Sequence, residues 1–256
     1  MLALLGGIQI GPFLLKYSWI GAALGFFIAS FHFRRFSVPD SDDGKILQNK
    51  VLDMYWNGFV IWLLAFKLAK IVVAPAAFFQ NPILEFFSTP APNADIVAWI
   101  VVLIYFIYKK YRLKISIFQM ADILLPAFVL GFGVYELLAL QLGTATQVPW
   151  GIHVGQNGYH PVNFYIAICL LLAYWIIIRW TDQIRIGSLT AQSLIAFGFS
   201  LQLSTYFLVP GQLYFGLTKA QWLYLAILVI GILLFYQTTM FSKTQIDTKN
   251  GEETKK

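Results

Sequence analysis

The chain has 256 residues, of which 59% are hydrophobic and only 12% are charged, and its formal net charge at pH 7 is +6. A soluble domain of this length does not combine so many apolar residues with so few charges, so the composition excludes an ordinary soluble domain and indicates a membrane protein. The one cysteine, Cys169, excludes an intramolecular disulfide framework and a cysteine-based metal cluster.

Seven long apolar runs follow one another along the chain, separated by short loops. Most reach the roughly 20 residues that a helix needs to cross about 30 Å of hydrocarbon; the third needs flanking residues from Ala94 onward. We predict an all-α, polytopic membrane helix bundle with seven transmembrane helices, forming a single domain over residues 1–241 with a polar tail over 242–256. The runs cover residues 11–33, 51–73, 96–108, 117–140, 164–180, 189–209 and 221–241.

Basic residues cluster after the first, third, fifth and seventh runs, which places them on one side of the membrane. The loops on the other side carry only Lys219, with Lys16 near the start. Cytoplasmic loops are rich in Lys and Arg, so the pattern predicts an N-terminus outside and a C-terminus in the cytoplasm. The basic surplus then needs no nucleic acid to explain it. The clustered residues are Arg34, Arg35, Lys45, Lys50, Lys109, Lys110, Arg112, Lys114, Arg179, Arg185, Lys243, Lys249, Lys255 and Lys256.

Two lysines lie inside the second apolar run. Lys70 is close to its end and can extend its amine toward the membrane surface. Lys67 lies deeper, where a charge usually faces a polar cavity, and an anionic lipid phosphate is its natural partner. The alternative is an ion pair between Lys67 and Glu136, a carboxylate deep in the fourth run.

Two long connections, residues 74–95 and 141–163, lie on the predicted outer side and mix prolines, aromatic rings and polar groups. Such loops suit either the outer leaflet and a lateral lipid entrance, or plain connectors packed on their own helices. The second holds His153 and His160, and neither has a partner at metal-ligand spacing, so we expect no metal. His160, before Pro161 and the fifth run, suits a headgroup contact or a base near neutral pH, and equally a local backbone cap.

The segment 148–165 resembles the bacterial prolipoprotein diacylglyceryl transferases. It retains that family's Pro-Trp-Gly and the His-Pro that opens the next membrane helix, followed by a tyrosine. The likeness extends to residues 10–26, 64–72, 121–133 and 216–233. The matching residues of the segment are Pro149, Trp150, Gly151, His160, Pro161 and Tyr165.

The resemblance implies transfer of the diacylglyceryl group of phosphatidylglycerol onto the lipobox cysteine of a lipoprotein precursor, with release of glycerol-1-phosphate. It implies a protein of the bacterial cytoplasmic membrane that uses no cofactor, with phosphatidylglycerol or a similar anionic phospholipid and lipoprotein precursors as partners. By position, His160 and Tyr165 would be the catalytic residues. The substrate-binding residues would be Lys67, Tyr17, Asn163 and Gln221.

The departures fall on functional positions. Glu136 stands at the signature arginine, Leu208 at a second arginine and Thr144 at the signature glutamate, and residues 93–98 lack the family's histidine. Cations at the phosphate stabilise the charge of the leaving anion, and Arg-to-Glu replacement reverses that contribution. Two hypotheses therefore stand: a divergent transferase, and a degenerate relative that binds phospholipid or precursor without turnover. A small transporter is disfavoured because no inverted repeat is visible.

Overall fold

The computed structural model of the protein describes residues 7–10, 13–35, 42–87, 91–180, 185–209 and 211–253. Most of these residues are helical, and they fall into two compact units. The first unit joins both ends of the chain, Met1–Asp40 and Ala121–Lys256, and the second is the segment Ser41–Met120. The single transmembrane domain over 1–241, with its tail over 242–256, stays a prediction.

Every predicted apolar run falls on a helix. The first helix begins at Tyr17 and not at residue 11, because the preceding residues form a strand. In chain order the helices are α1 (Tyr17–Arg35), α2 (Asp42–Leu68), α3 (Lys70–Val73), α4 (Pro75–Gln80), α5 (Pro82–Phe87), α6 (Ala94–Leu113), α7 (Ile117–Leu138), α8 (Val162–Trp180), α9 (Ser188–Ser204) and α10 (Lys219–Glu253). A 3₁₀ turn, Thr205–Phe207, follows α9.

Four helical stretches of the described chain are long and apolar enough to cross a membrane: Gly44–Val73, Ile117–Leu138, Val162–Arg179 and Lys219–Thr239. The segment Tyr17–Phe33 is a shorter apolar helix. These helices agree with a helical membrane protein, whereas seven crossings and their orientation stay predictions.

The all-α prediction was incomplete, since three small antiparallel sheets join the helices. Backbone amides and carbonyls of the connections between helices need partners, and strand pairing supplies them within these segments. The strands are β1 (Gly7–Ile10) with β2 (Phe13–Lys16), then β3 (Leu142–Ala145), β4 (Ile152–Val154) and β5 (Asn157–Pro161) with β5 in the centre, then β6 (Leu213–Tyr214) with β7 (Leu217–Thr218). The second of these sheets occupies the predicted outer loop 141–163.

In the first unit, all three sheets lie at the same end, which we call the sheet end. Gly21, near the start of α1, lies where an added Cβ would be 2.9 Å from the Tyr135 carbonyl oxygen near the end of α7. One turn further, a Cβ on Gly25 would overlap the Gly131 carbonyl oxygen. Small residues allow this close approach of two helix backbones, as in membrane helix pairs.

The core of the first unit lies directly beneath the sheet end. Val129 of α7, Val162 of α8 and Leu201 of α9 are buried in one apolar cluster. Phe207 of the 3₁₀ turn and Leu208 pack against it. The cluster therefore packs α7, α8 and α9 together. The segments that connect these helices at the sheet end carry the predicted functional residues.

At the opposite end of the first unit, Asp122 of α7 holds the start of α9. Its carboxylate accepts hydrogen bonds from the Gly187 amide at 2.5 Å and from the Thr190 amide at 2.7 Å. The Thr190 hydroxyl donates a third, at 2.6 Å. The first amides of a helix have no partner within the helix, so Asp122 supplies from another helix what an N-cap residue usually supplies.

In the second unit, the second apolar run is interrupted by a turn at Ala69 between α2 and α3. Ala69 is buried with Ala91 and Ala94, which brings the start of α6 against this turn. The predicted outer loop 74–95 consists largely of the two short helices α4 and α5, each of which begins with a proline.

Candidate functional site

His160 and Tyr165, the two predicted catalytic residues, are brought together at the sheet end. β5 ends at Pro161 and α8 begins at Val162, so the last residues of the strand lie beside the first turn of the helix. The Nδ1 atom of His160 lies 3.1 Å from the Tyr165 hydroxyl. Trp150, in the turn before β4, donates its indole N–H to the same hydroxyl at 2.9 Å.

The hydrogen bond between His160 and Tyr165 can form in either direction, depending on which ring nitrogen of His160 carries the proton. Trp150 can only donate, so the Tyr165 oxygen always acts as its acceptor. When the Tyr165 O–H donates to Nδ1, the proton of His160 is on Nε2. When Nδ1–H donates to Tyr165, Nε2 is free to take a proton and the tyrosine O–H is free to donate to a ligand. The second distribution offers a base and a hydrogen-bond donor side by side.

Phe207 packs against both residues of this pair. Its ring centroid is 5.0 Å from that of His160 and 4.9 Å from that of Tyr165. The contact depends on Gly143 in β3, which is buried and lies where a Cβ would overlap the Phe207 carbonyl oxygen. A Cβ there would also lie 3.2 Å from the Cβ of His160.

Asn163, predicted to bind substrate, is 2% exposed and bonded to backbone on both sides. Its amide N–H donates to the Glu136 carbonyl oxygen at 3.0 Å, and its side-chain oxygen accepts from the Gln141 amide at 3.4 Å. Asn163 therefore ties the start of α8 to the end of α7. Because Asn163 lies in the chain between His160 and Tyr165, its bonds also hold the backbone that carries that pair in position.

Gln221, also predicted to bind substrate, takes part in a capping box at the start of α10. Its side-chain oxygen accepts from the Thr218 amide at 2.8 Å, while the Thr218 hydroxyl accepts from the Gln221 amide at 3.2 Å. Its amide group also donates to the Thr205 hydroxyl at 3.1 Å. These bonds join α10 to the 3₁₀ turn that carries Phe207, so a substrate contact by Gln221 stays a prediction.

The remaining two predicted residues lie apart from this group in the chain. Tyr17 is the half-buried first residue of α1. Lys67 is half-buried in the last turn of α2 and belongs to the second unit, so its pairing with Glu136 of the first unit stays a prediction. Its neighbour Lys70 forms a partly buried ion pair with Glu85 of α5. That pair joins the interrupted second run to the short helices that follow it.

The sheet end of the first unit is poor in cations. The arginines of this unit lie in the last turns of α1 and α8 or precede α9, which puts them at the other end of the helices. Lys16 and Lys219 are the basic residues placed at the sheet end among the described residues, and both are exposed. The Lys219 amine lies 5.0 Å from the centroid of the Tyr214 ring. Leu208, which the resemblance aligns with an arginine, packs on the apolar core.

Three participants in the site were not predicted as such. The sequence places Trp150 only in the Pro-Trp-Gly match, which is a usable signal for a role in the site. Phe207 and Gly143 gave no local signal, because their role depends on the contact between β3 and the 3₁₀ turn. Among the residues that the structure describes, no three His, Cys, Asp or Glu side chains form a metal-binding group.

The chain is similar to the phosphatidylglycerol–prolipoprotein diacylglyceryl transferase of Idiomarina loihiensis. The two are 24% identical over 257 residues, which cover 93% of this chain and 92% of the relative. No family model matches the chain. The relative is distant, but the similarity extends over nearly the whole of both chains and agrees with the resemblance seen in the individual residues.

Proposed function

We propose that this chain is a membrane protein of the diacylglyceryl transferase type, which binds a glycerophospholipid at the sheet end of its first unit. The carrying observation is the Trp150–Tyr165–His160 hydrogen-bonded group, built on residues that the family resemblance retains. Full-length similarity to a transferase whose name specifies phosphatidylglycerol and prolipoprotein supports the substrate classes.

The proposal includes a topology. The seven apolar runs fall on seven separate helical stretches, which supports seven crossings. Basic clusters at alternate ends of the runs support an N-terminus outside and a C-terminus in the cytoplasm. The sheet end would then face outward, toward lipid and precursor proteins at the outer surface of the bacterial cytoplasmic membrane.

The proposed reaction is a displacement at the carbon of the diacylglyceryl group that is bonded to the phosphate oxygen. The precursor's cysteine sulfur bonds to that carbon while the carbon–oxygen bond to phosphate breaks. The bond electrons leave with the phosphorylated headgroup, which is glycerol-1-phosphate when the donor is phosphatidylglycerol, and the thiol proton passes to Nε2 of His160. Tyr165 donates a hydrogen bond to the headgroup.

A second candidate is lipid binding without transfer, and the buried Glu136 favours it. This carboxylate, 6% exposed, stands at the sheet end of α7, at the position of a family arginine. Exchanging a cation for an anion a few Å from a developing phosphate charge costs on the order of several kcal/mol, which is several decades in rate.

The test incubates purified protein with phosphatidylglycerol, labelled in its diacylglyceryl group, and a lipobox peptide. A transferase gives thioether-linked product, and His160→Ala lowers the rate by about 10²- to 10⁴-fold, the usual contribution of a general base. His153→Ala is the matched control, because His153 is an exposed histidine of the same sheet, and it should leave the rate unchanged. Phospholipid binding without product would select the second candidate, and absence of both would contradict the proposal.

A further inference from the structure

Glu136 is a buried carboxylate whose side chain has no partner among the residues described for its own unit. It is 6% exposed and lies in the last turn of α7. Its backbone carbonyl accepts a hydrogen bond from Asn163. Its side chain forms no hydrogen bond or ion pair with any residue described for the first unit. A buried charge without a partner is costly, so such a group either stays protonated or receives a cation from outside.

The surroundings of Glu136 favour a cation. The carboxyl end of a helix carries partial negative charge, and Glu136 adds to it at the end of α7. The hydroxyl groups of Tyr135 and Tyr224 lie within electrostatic range of the carboxylate, and a phenolic oxygen can accept a hydrogen bond from an ammonium group. The two lysines of this end, Lys16 and Lys219, are exposed.

Glu136 is also tied to the His160–Tyr165 pair. Asn163, which lies between His160 and Tyr165 in the chain, is anchored on the Glu136 carbonyl. Through its backbone, Glu136 therefore belongs to the same helix junction as the pair. A headgroup that carries both a phosphate and an amine can place its phosphate at the His160–Tyr165 pair and its ammonium group at Glu136.

We infer that Glu136 binds the ammonium group of an amine-bearing phospholipid headgroup, so that this site takes an ethanolamine-type lipid in preference to one with an uncharged glycerol headgroup. The inference rests on the proposed function, because it requires the sheet end to bind a phospholipid headgroup. It names an ethanolamine-type lipid as the preferred ligand, whereas the family resemblance implies phosphatidylglycerol.

The test measures binding of phosphatidylethanolamine and phosphatidylglycerol with identical acyl chains to the purified full-length protein in detergent. We expect the ethanolamine lipid to bind about 10- to 100-fold more tightly, as one charge-assisted contact requires. Glu136→Gln should abolish the preference, whereas Asp95→Asn, at an exposed carboxylate in the first turn of α6, should keep it.

A second measurement needs no variant. Acetylating the amine of phosphatidylethanolamine removes its positive charge, and binding to the unaltered protein should then weaken to the level of phosphatidylglycerol. Equal binding of all three lipids, still lost in His160→Ala, would overturn the inference and leave the proposed function standing. If no lipid bound in a His160-dependent way, the proposed function would fail as well.

Discussion

At the scale of single residues, Gly143 determines how closely β3 approaches the turn that carries Phe207. Both Phe207 and His160 lie within a methyl group's reach of it, and the Phe207 contact is to a backbone carbonyl that has little freedom to move. Side chains can adjust to a new methyl group more easily than a backbone can. The packing of the Phe207 ring on His160 and Tyr165 therefore depends on the absence of a side chain at position 143.

Gly143→Ala should lower the free energy of unfolding by about 1–3 kcal/mol, the usual cost of overpacking a tight site. Thermal unfolding of the purified protein in detergent measures it, and phospholipid binding should weaken in parallel. Gly211→Ala is the control, since an added Cβ there meets nothing within 4 Å. Equal stability of the two variants would show that β3 does not hold the turn in place.

At the scale of elements, the helices of the first unit are joined by polar groups at their ends as well as by apolar packing. Asn163 joins α7 to α8, and Gln221 joins α10 to the 3₁₀ turn after α9. Asp122 joins α7 to α9 at the other end. In hydrocarbon, apolar contact between helices competes with equally apolar lipid, so polar links at helix ends make a specific contribution to the arrangement.

Asp122→Ala removes three hydrogen bonds to the start of α9 and should destabilise the protein by about 1–3 kcal/mol. The comparison is Asp95→Ala, which removes an exposed carboxylate from the first turn of α6 and should cost within about 1 kcal/mol. Both are measured by thermal unfolding in the same detergent. A loss at Asp122 no larger than at Asp95 would contradict the role as a cap supplied by another helix.

At the scale of the whole molecule, the proposed topology assigns each connection to one side of the membrane. In a Cys169→Ala background, His153→Cys places a thiol in β4 and Lys114→Cys places one in the connection after α6, both at exposed positions. A membrane-impermeant thiol reagent applied to intact cells should label residue 153 only. Residue 114 should react after the membrane is opened. Labelling of residue 114 in intact cells would contradict the orientation.

The local sequence was enough to place the site near His160 and Tyr165, but not to identify all the residues that form it. His160 and Tyr165 are five positions apart across a strand-to-helix junction, so a resemblance to a motif was enough to place them together. Trp150 reaches Tyr165 through the pairing of β4 with β5, and Phe207 reaches it from another part of the chain. Asn163 and Gln221 were predicted as ligand contacts, yet the side-chain bonds described for them hold helix ends.

The sequence by itself determined that this is a helical membrane protein and where its long helices lie, because the length and apolarity of a run are local properties that lipid selects directly. It did not determine the short helices α4 and α5. It did not determine the three small sheets, since strand pairing between connections depends on which helix ends lie side by side. Only the tertiary structure decided that Glu136 is buried with no side-chain partner among the residues described for its unit, and that Gly143 underlies the His160 site. Both facts concern the space between segments that are distant in the chain, and that space is set by packing.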